Sequence, residues 1–375
     1  MKLSKNHQAF FELLRAGLWE KKARLSKYTD IDYSAIMRMA EEQSVVGLVT
    51  AGLERVSDVK VPKEWALQFI GSTLQVEQQN KAMNEFVARL IELLRKNDVY
   101  ALLVKGQGIA QCYERPLWRA SGDVDLLLSE NNYEKAKKLL VPLASDVETE
   151  YTHFMHLGMT IDGWVVELHG TQHSRLSRRV DSMIDTVQKD VFYGGNIRSW
   201  ENNHTQVFLP APNEDVIFVF THILHHFFFE GIGLRQLCDW CRLLWTYRSE
   251  IDVRLLENRL RTAGLMSEWK AFAAFAVEYL GMLVEAMPLF NENDNLNEKF
   301  KRKADKICAF VLEVGNFGHK QRRDYSGQAY IIRKIKSSFG RLSDMLRHFS
   351  LFPKDSIVFF GGVLRSGIHA AVRGE

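Results

Sequence analysis

The stretch Gly122-Asp-Val-Asp-Leu-Leu-Leu128 decides the fold, because it places two acids inside a strongly apolar run. In an extended strand, successive side chains point to opposite faces. Asp123 and Asp125 therefore share one face, while Val124 and Leu126 point to the other face, into a core. Two carboxylates held together at the edge of a buried sheet repel each other and lose hydration. A divalent cation offsets this cost, and Mg²⁺ is the natural candidate because it prefers carboxylates and substrate phosphates.

Short strands and one helix surround this stretch. An apolar run before it ends in Lys105-Gly106-Gln107-Gly108, which is typical of a buried strand followed by a glycine turn. Downstream, Asp162-Gly163 separates two alternating runs and is the strongest hairpin signal in the chain. The pattern predicts strands at 99–104, 123–128, 152–161 and 164–169, and a helix at 130–143 that is capped by Ser129.

Helical patterns flank this central part on both sides. Apolar residues recur at three- and four-residue spacing, and Pro62 is suited to the first turn of a long helix. The predicted helices cover 9–19, 33–56, 62–96, 213–245 and 256–283. The predicted fold class is therefore α+β, with an N-terminal helical region at 1–98, a mixed-sheet core at 99–210 and a C-terminal helical region at 211–375.

The composition is that of an ordinary soluble globular protein, with 46% hydrophobic and 25% charged residues. Four cysteines are too few for a disulfide framework, and the N-terminus has no apolar signal segment, so a cytoplasmic protein is expected. The longest apolar stretch, 216–229, is too short to span a bilayer, so no membrane partner is expected. Residues 301–375 hold 15 Lys and Arg against six Asp and Glu. This balance favours a solvated helix face over nucleic-acid binding, which stays an alternative.

The glycine turn, the paired acids on the next strand and a third acid further on resemble the nucleotidyltransferase superfamily. More narrowly, Lys105-Gly106, Tyr113, Pro116, Arg119 and the 122–128 stretch resemble an uncharacterised nucleotidyltransferase family found in bacteria. Weaker likeness continues to about residue 318. The resemblance implies a nucleotidyltransferase fold that moves a nucleoside monophosphate from a nucleoside triphosphate to an acceptor. Mg²⁺ is the implied cofactor and ATP the preferred donor, while the acceptor stays unknown.

Carried over residue by residue, the resemblance makes Asp123 and Asp125 the paired metal ligands and Glu167 the third, catalytic acid. Glu167 alternates with Val166 and Leu168, so it shares a face with His169. The other reading is a solvated edge position for Glu167 and surface positions for the two aspartates. The candidates for binding the triphosphate are Lys105, Gly106, Gln107, Gly108, Arg119, Ser121 and Gly122.

Several features leave alternatives open. Gln107 stands where the superfamily usually has Gly or Ser, and its longer side chain would either crowd a phosphate or point away. This departure motivates a second hypothesis, a catalytically inactive nucleotide-binding or interaction protein that keeps the fold. His222, His225 and His226 are interpreted as core and cap residues, although the resemblance would let His222 and Asp239 line a cleft. The Cys238–Cys241 spacing is interpreted as helix interior, not as a metal or redox pair.

Overall fold

The computed structural model describes residues 3–151, 155–229, 231–315 and 351–352. Within them helices surround a mixed sheet of seven strands, which confirms the predicted α+β class. The strands are β1 (Ala101–Val104), β2 (Asp123–Leu128), β3 (Asp146–Val147), β4 (His156–Ile161), β5 (Trp164–His169), β6 (Ile197–Asn202) and β7 (Thr205–Pro210). The helices are α1 (Lys5–Leu18), α2 (Tyr33–Glu42), α3 (Val46–Leu53), α4 (Lys63–Lys96), α5 (Gly106–Ala110), α6 (Glu130–Leu140), α7 (Arg178–Phe192), α8 (Pro212–Phe229), α9 (Leu234–Thr246), α10 (Val253–Ala263), α11 (Met266–Leu280), α12 (Glu292–Leu296) and α13 (Glu298–Val314).

The strand order brings the two acidic strands side by side. Across the sheet the order is β3-β4-β5-β2-β1-β7-β6, with β2 parallel to β5. β1 is antiparallel to β2, so Val104 at the end of β1 lies opposite Asp125. The chain that leaves β1 therefore passes directly beside the acids of β2.

Alternation along the strands gives the sheet two faces with different partners. One face, which includes Val124 and Leu126, packs against α6 and the C-terminal half of α4 in a closed hydrophobic core. The other face, which includes Leu127, joins a larger core built with helices from both ends of the chain. Asp123 and Asp125 alternate with the first set, so they lie on the second face, as predicted.

Helix α4 confirms the long helix predicted from Pro62, and it runs over 34 residues. It belongs to both cores, because Phe69 packs among the helices whereas residues 83–94 cover the sheet. Helices before and after the sheet also share the larger core. The predicted domain boundaries at 98/99 and 210/211 stay a prediction.

The hairpin predicted around Asp162-Gly163 is confirmed by the pairing of Ile161 with Trp164. Both turn residues have positive φ, 51° and 80°, as a two-residue turn of the hairpin type requires. The first strand of this hairpin begins at His156, later than predicted, and residues 152–154 lie outside the described part.

Other local predictions were wrong in detail. The single helix expected over 33–56 is two helices, α2 and α3, because the chain turns at Ser44, where φ is 55°. Ser129 stands at the start of α6, but its side chain makes no capping hydrogen bond. The hairpin β6–β7 was not predicted, although Asn203 at its turn favours the left-handed conformation that it adopts.

Gly52 and Gly71 offer a matched test of helix packing. Gly52 in α3 lies so close to α1 that an added Cβ would collide with the backbone carbonyl of Leu13, whereas Gly71 in α4 has open space around it. We expect Gly52→Ala to lower the free energy of unfolding by about 1–3 kcal/mol. Gly71→Ala should raise it by roughly 0.5–1 kcal/mol, because alanine is the better helix former. Chemical denaturation of both variants measures the difference, and equal effects would contradict the close α1–α3 contact.

The predictions about membrane spans, the paired cysteines and the basic segment have different outcomes. Within the ranges that the structure describes, none of the helices combines the length and apolar character needed to cross a bilayer. Cys238 and Cys241 are buried free thiols in α9, which confirms the helix-interior interpretation. Most of the basic segment 301–375 lies outside the described residues, so its suggested role stays a prediction.

Candidate active site

Three carboxylates meet on one face of the sheet because β2 and β5 are parallel and in register. Asp125 lies opposite Glu167, and Asp123 lies two residues earlier on β2. All three border a cleft of about 1600 Å³ that opens to solvent between the sheet and α8. The structure thus brings together the three acids that the sequence predicted as metal ligands.

The ammonium group of Lys105 lies among these acids. Its Nζ donates a hydrogen bond to Asp125 Oδ1 at 2.8 Å, and both side chains are almost fully buried. Burial disfavours the ammonium form, but Asp125 and Glu167 outweigh burial and raise the pKa of Lys105. Burial likewise opposes the charge of Asp125, yet Lys105 and His169 stabilise that charge and lower the pKa of Asp125. Burial and repulsion from Asp125 raise the pKa of Asp123, so Asp123 is the carboxylate least stable as an anion.

The backbone of Lys105 has an unusual conformation for a residue with a side chain. Its φ is 59° and its ψ is −146°, a region that only glycine occupies readily. Such a conformation costs on the order of 1–3 kcal/mol and is found most often at functional sites. Gly106 follows with φ of 40°, and together the two residues turn the chain from β1 straight into α5. The glycine turn predicted from the sequence is thus also the start of a short helix.

Two other members of the predicted triphosphate-binding set face away from the cleft. Gln107 is buried, and its Nε2 donates to Asn80 Oδ1 at 3.0 Å, so only its backbone can contact a nucleotide. An added Cβ at Gly108 would lie 2.8 Å from a methyl group of Leu209, so this glycine allows close packing against β7. Gly122, in contrast, has open space around its Cα.

Arg119 is held in a buried network next to a smaller pocket, which adjoins the cleft and shares Asp123 with it. Its Nε and Nη2 donate to the two carboxylate oxygens of Asp239 at 3.1 and 2.6 Å, and its Nη1 donates to Ser121 Oγ at 2.7 Å. Tyr113 also donates to Asp239, at 2.7 Å. Burial disfavours the guanidinium charge, but Asp239 outweighs burial and raises the pKa of Arg119. Arg119 and Asp123 both border this smaller pocket, yet the charge of Arg119 is already balanced by a protein carboxylate.

Asn80 in α4 connects these two parts of the site. Its Oδ1 accepts a hydrogen bond from Gln107. Its Nδ2 donates to the backbone carbonyls of Leu117 and Arg119, both at 2.8 Å. Its side chain is buried, so water does not compete for these bonds. One amide therefore fixes the loop that carries Arg119 relative to the turn that carries Lys105.

Two histidines contact Glu167. His156 Nε2 lies 3.2 Å and His169 Nε2 lies 3.3 Å from Glu167 Oε2. His169 Nε2 also lies 2.8 Å from Asp125 Oδ1. Burial opposes the imidazolium form, but Asp125 and Glu167 raise the pKa of His169. Glu167 and His169 thus share a face as predicted, and Glu167 is not a solvated edge residue.

Three histidines of α8 form the opposite wall of the cleft. His222, His225 and His226 all border it, and His226 is buried whereas His222 and His225 are half-buried. The alternative that His222 and Asp239 line a cleft is confirmed. Burial and the nearby Lys105 hold the pKa of His222 well below its ordinary value, so its imidazole is neutral.

Sequence reasoning missed two residues of the site. His156 had a usable signal, because a two-residue turn at 162–163 fixes the hairpin register and places His156 opposite His169. Asn80 had none, because it lies far along the chain from Gln107 and Arg119.

Comparison with known proteins adds one match to this geometry. A model of an uncharacterised nucleotidyltransferase family matches residues 29–281. The match begins earlier than the resemblance seen in the sequence and includes α2, α3 and α4 as well as the sheet and the cleft. No curated protein and no solved structure matches the chain. Because the family model covers more than half of its residues, the chain belongs to the uncharacterised nucleotidyltransferase family.

Proposed function

We propose that this protein transfers a nucleoside monophosphate from a nucleoside triphosphate, with ATP as the preferred donor, to an acceptor that is not yet identified. In this reaction the acceptor nucleophile forms a bond to the α-phosphorus, and the bond to the bridging α–β oxygen breaks to release pyrophosphate. The convergence of Asp123, Asp125 and Glu167 on one cleft beside Lys105 carries the proposal. Family membership supports it independently.

The three acids suit a magnesium site. They offer oxygen donors, which Mg²⁺ prefers, and burial together with repulsion from Asp125 raises the pKa of Asp123, which favours a bound cation beside it. We assign Asp123, Asp125 and Glu167 as the residues that hold Mg²⁺. When bound, Mg²⁺ would supply charge neutralisation at the phosphate oxygens and alignment for in-line displacement.

Lys105 is placed to exchange partners when a substrate binds. A cation held by Asp125 would compete with the ammonium group, which lies 2.8 Å from the same carboxylate oxygen. The flexible four-carbon stem of lysine allows its charge to turn toward the cleft, which it already borders. We propose that Lys105 releases Asp125 and binds the triphosphate, next to the backbone of Gly106.

Lys105→Met tests this exchange. The variant keeps the apolar stem but loses the ammonium group, so its affinity for a triphosphate analogue should fall by about 10- to 100-fold, the value of one charged hydrogen bond. Its affinity for Mg²⁺ alone should not fall, because the competing cation is gone. Calorimetry measures both affinities, with Lys81→Met as the control, since Lys81 pairs with Glu77 on an exposed part of α4. An unchanged affinity for the analogue would contradict the assignment.

The proposed activity is tested with labelled triphosphates. The full chain is incubated with each of the four nucleoside triphosphates and Mg²⁺, together with pooled hydroxyl, protein and RNA acceptors, and pyrophosphate release and label transfer are measured. The double variant Asp123→Asn, Asp125→Asn removes the proposed metal ligands, and Asp162→Asn is the control because Asp162 is exposed in a turn. Equal signals from all three proteins would overturn the proposal. Metal-dependent binding without pyrophosphate release would instead favour a catalytically inactive nucleotide-binding protein.

The proposed location is the cytoplasm. All four cysteines are free and buried, and free thiols are the usual state in a reducing compartment. Fractionation of cells that express the tagged chain would test this location.

A further inference from the structure

We propose that His156, Glu167 and His169 form a second metal site, which takes a first-row transition metal ion of the zinc type and lies next to the proposed magnesium site, with which it shares Glu167. The proposal concerns metal binding alone, so it does not depend on nucleotidyl transfer. The three residues each offer one ligand atom, and these atoms all lie within 4.8 Å of one another.

The hairpin holds the three ligands on a rigid support. His156 on β4 and His169 on β5 are directly opposite in the antiparallel register, with ring centroids 4.8 Å apart. Glu167 lies two residues before His169, on the same face of β5. Tyr151 stacks on the ring of His156 at 6.1 Å and limits its orientation. Ligands on paired strands keep their spacing better than ligands on loops do.

The distances fit a small tetrahedral ion. Metal–ligand bonds of about 2.0–2.1 Å place neighbouring ligand atoms roughly 3.3 Å apart in a tetrahedral zinc site. The separations from Glu167 Oε2 are 3.2 Å to His156 Nε2 and 3.3 Å to His169 Nε2. Two of the three distances between ligand atoms therefore already match a tetrahedral zinc site. A carboxylate offers two oxygen donors, so Glu167 could serve both proposed metal positions.

The chemistry of the donors separates this site from the magnesium site. Mg²⁺ takes oxygen ligands almost exclusively, whereas two imidazoles and one carboxylate are a familiar ligand set for catalytic zinc, which leaves a position open for water or substrate. The side chains of His156, Glu167 and His169 are 23%, 30% and 12% exposed. They border the cleft, so an ion can enter and its open position would face a ligand in the cleft.

Cobalt provides a readout that does not require activity. Chelator-treated full-length protein is titrated with Co²⁺, which replaces zinc in tetrahedral sites and then absorbs visible light. We expect one equivalent to bind, with a band that Zn²⁺ removes and that excess Mg²⁺ leaves in place. His156→Asn and His169→Asn should each weaken Co²⁺ binding by at least about 100-fold, because loss of a direct ligand exceeds the 10- to 100-fold effect of losing a supporting residue.

Two controls keep this test independent of folding and of the proposed function. His204→Asn changes an exposed histidine in the β6–β7 turn and should bind Co²⁺ as the wild type does. Asp123→Asn should keep the cobalt band while losing nucleotidyl transfer, so the two proposals fail separately. Far-ultraviolet circular dichroism and the Tm of each metal-free variant show whether it is folded. Zn²⁺ should raise the Tm of the wild type, His204→Asn and Asp123→Asn, but not that of His156→Asn or His169→Asn.

Three outcomes would overturn the proposal. Absence of the band would leave His156 as a hydrogen-bond partner of Glu167, and His169 as a partner of Glu167 and Asp125. Complete displacement of Co²⁺ by millimolar Mg²⁺ would show a single oxygen-ligand site. A band that survives in His156→Asn but disappears in His222→Asn would place the ion on α8.

Discussion

Replacement of Asp123 by Asn is expected to lower nucleotidyl transfer by at least about a thousandfold, because a lost metal ligand removes several kcal/mol of charge stabilisation in the transition state. The same substitution should not lower the Tm of the metal-free protein. Loss of activity without loss of stability distinguishes a ligand from a residue that merely supports the fold.

The expected stability follows from the sign of the pKa change. Burial and repulsion from Asp125 raise the pKa of Asp123 in the folded protein, so the folded state binds this proton more tightly than the unfolded state does. The contribution of the Asp123 carboxyl to the free energy of unfolding is therefore favourable at low pH, and it is lost as the pH rises through the raised pKa. Above this raised pKa the ionised Asp123 destabilises the metal-free fold, and a neutral amide of the same shape removes that cost.

Thermal unfolding with and without Mg²⁺ measures this effect beside the activity assay. Mg²⁺ with a triphosphate analogue should raise the Tm of the wild type and of Asp162→Asn, but not that of Asp123→Asn. A variant that keeps a tenth of the wild-type activity, or that melts well below the wild type without metal, would refute the assignment of Asp123.

Arg119→Met is expected to lower the free energy of unfolding by about 3–5 kcal/mol, because it leaves the carboxylate of Asp239 buried without its ionic partner. The pair is bidentate, and its side chains are only 6% and 7% exposed. Tyr113 would still donate one hydrogen bond to Asp239, but a neutral donor does not balance the charge.

A double variant separates stability from function at this position. Arg119→Met with Asp239→Leu replaces both charges by apolar side chains, and it should recover most of the lost stability. If Arg119 binds the triphosphate, the double variant stays inactive despite its recovered fold. Chemical denaturation of the wild type and of both variants measures their free energies of unfolding. Arg261→Ala is the control, because its exposed pair with Glu257 is worth less than about 1 kcal/mol. A single variant as stable as the wild type would contradict the buried ion pair.

Much of the fold could be predicted because its main signals are local. The alternation at 122–128, the turn at Asp162-Gly163 and the long apolar stripe after Pro62 each depend on neighbouring residues, and each is confirmed. The break at Ser44 was not predicted. Four polar residues, Glu41-Glu42-Gln43-Ser44, interrupt the apolar spacing there, but the spacing resumes in α3.

In the candidate site too, the features that depend on local patterns could be predicted and those that depend on distant contacts could not. The common face of Asp123, Asp125 and Glu167 follows from strand periodicity and the parallel pairing of β2 with β5. The orientation of Gln107 toward Asn80 and the pairing of Arg119 with Asp239 depend on contacts between distant segments, for which a single sequence carries no signal.

The shared position of α4 in both cores has a consequence for fragments of this protein. A fragment that starts at residue 99 keeps every strand, but it exposes the sheet face that residues 83–94 normally cover. Such a broad apolar surface promotes aggregation. The same truncation removes Asn80, which orders the segments that carry Lys105 and Arg119. The smallest soluble and competent unit must therefore include α4, although this helix contributes no ligand or charge to the cleft.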